Sequence, residues 1–91
     1  MNVLKYINKI PIGYTEAMYF AKKYGVTRTD FNNGKSIKIY AKELGGTDFI
    51  SLNYYITTNG ALLKPCEMPK EKVIAFLKAS VFLTEKNSTN C

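Results

Sequence analysis

Cys66 stands between Lys64 and Lys70, just ahead of Pro69 and an apolar periodicity that marks the start of a helix. Nearby cations and a helix N-terminus both favour a thiolate, which makes Cys66 a candidate reactive thiol and a thiol-based redox role a minor reading of the chain. The plainer reading is a small apolar side chain filling space beneath the helix. Nothing else in the sequence assembles covalent chemistry around it. The chain contains no histidine, which removes Ser-His-Asp and Cys-His nucleophile systems, imidazole proton shuttles and His-ligated metals. Cys91, the other cysteine, is far away in sequence and forms no C-x-x-C pair, so no metal site and no cofactor are expected.

Three other short constellations carry less. Gly34-Lys35-Ser36 imitates the end of a phosphate-binding P-loop, but Thr29 occupies the place of its first glycine and a strand, not a helix, follows. Gly45-Gly46-Thr47 could offer backbone N–H groups to an anion, whereas two glycines between strands serve more simply to reach positive φ. Glu67 and Glu71 lie one helical turn apart among Lys70 and Lys72 and read as surface charge rather than as an acid/base pair. The chain therefore reads as a non-enzymatic binding protein.

The charge distribution says where binding would occur. Thirteen Lys and Arg face seven Asp and Glu, a net charge of +6 in 91 residues. Lys22, Lys23, Arg28, Lys35, Lys38 and Lys42, opposed by Asp30 alone, fall within residues 22–42, while residues 43–63 contain no Lys or Arg.

Turn chemistry lays out the strands and helix that carry these groups. Asn32-Asn33-Gly34 tolerates positive φ and predicts a hairpin with arms Tyr24 to Phe31 and Ser36 to Ala41. Thr58-Asn59-Gly60 predicts a second hairpin, joining a strand over residues 48–57 to a short one over 61–64. Pro69 suits the first turn of a helix, and Val73, Phe76, Leu77 and Val81 then form an apolar stripe that predicts a helix from Pro69 to Leu83. Residues 14–24 fit two patterns. As a helix, Tyr14, Ala17, Met18, Ala21 and Tyr24 make a stripe capped by Thr15 and Gly25; as a strand, residues 17–21 turn at Lys22-Lys23 and pair with the next arm.

The segments Tyr24-Gly25-Val26-Thr27-Arg28, Tyr40-Ala41-Lys42-Glu43-Leu44-Gly45-Gly46 and Leu63-Lys64-Pro65-Cys66-Glu67-Met68-Pro69 resemble a family of small uncharacterised bacterial proteins. The resemblance covers roughly residues 12–80 and implies a hairpin before the Tyr-Gly-Val segment, hence a strand over residues 14–21, although Lys22-Lys23 stands here where the family has a glycine-containing turn. It implies no activity and no site residues.

The expected fold is α+β: an antiparallel β-meander of four to five strands with a C-terminal helix packed on one face, residues 1–83 forming one domain and 84–91 a polar flexible tail. Residues 1–11 carry Lys5 and Lys9 and no continuous apolar region, and the longest apolar run, Val73 to Leu77, is five residues against the roughly 20 of a membrane span. A cytoplasmic protein without membrane contact is expected, with no Cys66–Cys91 disulfide and an idle Asn87-Ser88-Thr89 sequon.

Strand alternation then sorts the two sheet faces. A three-residue Asn32-Asn33-Gly34 loop sets Arg28 opposite Lys38 and Thr29 opposite Ile37, so that Thr27, Phe31, Ile37, Ile39, Ile50, Leu52, Tyr54 and Ile56 meet the helix. Tyr24, Arg28, Lys38, Tyr40, Lys42, Phe49, Asn53 and Tyr55 are left on the open face. Cations beside flat rings match single-stranded nucleic acid, whose phosphates are drawn by Lys and Arg and whose bases stack on aromatic side chains. Arg28, Lys38, Tyr40, Lys42, Phe49 and Tyr55 are the candidate nucleic-acid-binding residues. Tyr and Phe also favour strands for their own sake and Lys is commonly solvated, so docking of an acidic protein, with this chain as an accessory subunit, is the alternative.

Overall fold

Three successive residues in left-handed backbone, Asn32, Asn33 and Gly34 (φ 54°, 57° and 85°), turn the chain between strands β2 (Lys22–Phe31) and β3 (Ser36–Glu43) in the computed structural model, which describes residues 3–82. The loop has four residues rather than three: Phe31 pairs with Ser36, and the Gly34 and Lys35 N–H groups donate to the Phe31 and Asn32 carbonyls at 3.1 Å. That single added residue inverts β2. Arg28 faces Ile39 instead of Lys38, and Tyr24, Val26 and Arg28 turn to the helix-covered face while Thr27 and Phe31 turn outward. Burial explains the choice, because Val26 and Tyr24 are 0% and 2% exposed, a gain of about 1.5–3 kcal/mol for each apolar side chain. Thr27 and a half-exposed Phe31 surrender far less.

Strand β1 (Gly13–Tyr19) precedes β2, so residues 14–19 are strand and the helical stripe is split between two faces, with Ala17 buried and Tyr14 exposed. The turn lies at Phe20-Ala21, not at Lys22-Lys23, and both residues adopt positive φ (50° and 65°) as a two-residue hairpin demands. Left-handed backbone costs non-glycine residues on the order of 1–2 kcal/mol each. The Tyr19 ring compensates by packing edge-on against Tyr24 and Phe76, at 5.8 and 5.1 Å between centroids.

Strands β4 (Phe49–Thr57) and β5 (Gly60–Pro65) form the second hairpin as the Thr-Asn-Gly turn predicts, closing at Thr57 and Gly60. Helix α2 (Lys70–Ala79) is shorter than its apolar stripe predicts. Ser80 is extended (φ −69°, ψ 142°), and Val81 and Phe82 become a sixth strand, β6, antiparallel to β1 through Met18 and Ala17. Val81 is therefore 63% exposed and outside the core, and Leu83 and the 84–91 tail lie outside the described residues.

The sheet order β5-β4-β3-β2-β1-β6 is a five-strand antiparallel meander with β6 added at the far edge, six strands where four to five were expected. To reach β6 from β5, α2 must cross one whole face, and Val73, Phe76 and Leu77 are buried in doing so. A short N-terminal helix, α1 (Val3–Ile7), shares that face and adds the buried side chains of Ile7 and Ile10. Neither helix is long and apolar enough to cross a membrane.

Arg28 fastens α1 to the sheet. Its Nε and Nη2 donate to the Asp30 carboxylate at 2.9 and 3.0 Å, and its Nη1 donates to the carbonyls of Ile7 and Ile10 at 3.2 and 2.8 Å. Those carbonyls close α1 and the turn after it, where a cation is electrostatically favoured.

Candidate functional site

Alternation along β3 and β4 is anchored by Ile37, Ile39, Ile50 and Leu52 in the core, so Lys38, Tyr40 and Lys42 on one strand and Phe49, Ser51, Asn53 and Tyr55 on the other must face away from the helices. Across the ladders Ser51 lies beside Tyr40, which lies beside Thr27, and in the next row on that face Asn53 lies beside Lys38, which lies beside Thr29. Small Ser51, Thr27 and Thr29 therefore sit among larger neighbours, and a hollow of about 550 Å³ opens above them. Lys38, Tyr40 and Phe49 also line it, as do Cys66 and Glu67, in the segment leading from β5 to α2.

The aromatic wall is held from below. Tyr40 and Phe49 lie 6.2 Å apart between centroids at an interplanar angle of 31°, and Tyr40 is 41% exposed. Phe49 follows Asp48, whose carboxylate accepts hydrogen bonds from Tyr24 Oη (2.8 Å) and Lys72 Nζ (2.7 Å), and whose backbone exchanges hydrogen bonds with Glu43 across the glycine loop. Lys72 Nζ stands 5.9 Å from the Phe49 ring centre, within cation–π range. The hydrogen bonds from Lys72 and then Tyr24 hold the Asp48 carboxyl below its usual range, while burial, followed by the Asp48 hydrogen bond, pushes the Tyr24 phenol upward.

A depressed folded-state pKa means that the Asp48 contribution is fully present above the ordinary aspartate value of about 3.9 and is lost as pH falls through the lower folded value. Urea denaturation of wild type and Asp48→Asn is accordingly expected to show a stability gap near neutral pH that narrows below about pH 4. A gap independent of pH would remove the carboxylate charge from the account.

The structure gathers some of the expected site residues and disperses others. Lys38, Tyr40, Phe49 and Cys66 line one hollow, so the basic-aromatic face and the candidate thiol prove to be a single place. Lys42, exposed and paired with Phe49, and Tyr55, half-buried and paired with Ser36, lie on the same face beyond opposite ends of the hollow. Arg28 is on the other face, its side chain 11% exposed and committed to Asp30. Cys66 is half-buried rather than enclosed beneath α2, and its sulfur accepts a hydrogen bond from Asn53 Nδ2 at 3.4 Å.

Other participants were not picked out from the chain. Thr27 and Thr29 reach the floor of the hollow only in the four-residue-loop register, and Lys64 joins the face by pairing with Asn53. Exposed Tyr14 extends the ring surface and covers Gly25, where a Cβ would collide with its phenol. Among the described residues, ion pairs engage Lys23, Arg28 and Lys72 but none of Lys38, Lys42 and Lys64. No known protein family, curated protein or solved structure matches the chain.

Proposed function

We propose that this protein is a small non-enzymatic binding module that takes single-stranded nucleic acid on the open face of its sheet. The observation that carries this reading is the interleaving of Lys38, Lys42 and Lys64, free of ion pairs among the described residues, with Tyr40, Phe49, Tyr55 and Tyr14 on a face that neither helix covers. Lysines at strand spacing follow a phosphate backbone, and each ring offers a platform worth about 1–3 kcal/mol per stacked base. A duplex keeps its bases stacked and unavailable to the rings.

Fluorescence anisotropy with labelled single-stranded and duplex oligonucleotides across a salt series tests this. Wild type is expected to favour the single strand. Lys38→Ala and Lys42→Ala should each weaken binding to every sequence and flatten the log–log salt slope by roughly 0.7 per lost contact. Tyr40→Leu should lower affinity about 5- to 100-fold while leaving the slope unchanged. Absence of binding to either form at low salt would overturn the proposal. Because half-exposed Phe31 and Leu62 share this face, the second reading is an acidic protein partner, whose association rate rather than dissociation rate would respond to the lysine substitutions.

A further inference from the structure

The hollow pairs its one lysine with a carboxylate, which a surface that only follows phosphates has no use for. Glu67 and Lys38 both line it, Glu67 from the segment after β5 and Lys38 from β3, with β4 and its Ser51 between those two elements and Tyr40, Phe49, Thr27 and Thr29 completing the lining. The backbone at Glu67 is left-handed (φ 62°), a conformation that a non-glycine residue keeps only when the surrounding chain imposes it. Here Cys66 N–H is bonded to the Ser51 carbonyl at 2.9 Å on one side and Pro69 leads into α2 on the other, so the position of Glu67 is fixed by both neighbours.

From this arrangement we infer that the hollow holds one unstacked base of the bound strand and selects guanine. The inference rests on the nucleic-acid reading above and names what that site distinguishes. A carboxylate repels phosphate but accepts hydrogen bonds, and guanine presents two adjacent donors, N1–H and the N2 amino group, on its Watson–Crick edge. Adenine and cytosine place a bare ring nitrogen beside their amino group, and thymine flanks its one N–H with two carbonyls, so each confronts a carboxylate with a lone pair. Lys38 supplies a cationic donor for the guanine O6, an acceptor that adenine lacks. Tyr40 supplies the stacking surface, which is indifferent to base identity, so the selection falls to Glu67 and Lys38. The volume, about 550 Å³, lies within the usual range for a cleft holding a small planar ligand.

The test is anisotropy of the full chain with an eleven-residue oligothymidine probe carrying dG, dA, dC or dT at its central position, for wild type and Glu67→Gln. Wild type is expected to bind the dG probe about tenfold more tightly than the other three, in line with one bidentate base contact. In Glu67→Gln that preference should fall to a few-fold or less, with affinity for the all-thymidine probe unchanged or raised because a repulsive charge has gone. Equal wild-type affinity for all four central bases would overturn the guanine assignment and leave the nucleic-acid reading standing, whereas no binding to any probe would overturn both. A Glu67→Gln variant that retains the full dG preference, or that loses binding to all four probes alike, would also overturn the assignment.

Discussion

Arg28→Ala is expected to destabilise the protein by about 3 kcal/mol, read as a fall in the urea midpoint at neutral pH. The guanidinium is 11% exposed and its Asp30 partner 19%, so removal leaves a largely enclosed carboxylate without its cation. It also strips the donor from the Ile7 and Ile10 carbonyls, which end α1 and the turn that follows. Arg28→Lys should recover only part of the loss, since an ammonium cannot match two carboxylate oxygens and two carbonyls with one planar fork. Where the variant remains folded, its salt slope for oligonucleotide binding should equal that of wild type, because the residue lies on the face opposite the proposed site. A loss below about 1 kcal/mol, the value of an exposed ion pair, would mean that Ile7 and Ile10 hold the N-terminal segment by packing alone.

Phe76→Ala should cost more, about 3–5 kcal/mol, and lower the melting temperature by more than about 15 °C. The ring is fully buried where α2 crosses the sheet, with the Tyr19 and Tyr24 rings at 5.1 and 5.3 Å and steeply inclined to it. Truncation opens a cavity and removes two edge-to-face pairs together, in a domain whose total stability is expected to be only about 5–15 kcal/mol. Phe76→Leu keeps most of the volume and should cost appreciably less. The near-ultraviolet circular dichroism of the tyrosines should collapse in the alanine variant and persist in the leucine one, because Tyr19 and Tyr24 lose their asymmetric packing only in the first. A melting temperature within a few degrees of wild type for Phe76→Ala would mean that the core can close over the missing ring.

Phe76 and Arg28 differ in how far neighbouring residues alone fix their surroundings. Phe76 belongs to an apolar repeat following a proline, and its burial is readable from spacing alone. Arg28 lies in a strand whose inward face depends on the length of a neighbouring loop, and a side-chain period of two converts an error of one residue into the opposite face. Lys38, Tyr40, Lys42, Phe49 and Tyr55 escape that ambiguity because each alternates with core residues of its own strand. Glu67 and the threonines of the hollow have no such local marker: Glu67 follows the last meander strand, and Thr27 and Thr29 share the uncertain register of Arg28.

Local chemistry by itself determined the two Asn-Gly hairpins, the helix after Pro69, the absence of histidine chemistry and the concentration of cations in residues 22–42, because turns, helix starts and charge are properties of neighbouring residues. Tertiary structure decided what required distant parts of the chain to meet. The orientation of β2 followed from the burial of Tyr24 and Val26, and the end of α2 at Ser80 from the edge of β1 offering Val81 and Phe82 unpaired backbone groups. The hollow itself exists only because the strands set small Ser51 on β4 and Thr27 and Thr29 on β2 on either side of Tyr40 and Lys38, a coincidence of side-chain size that registry between strands alone can create.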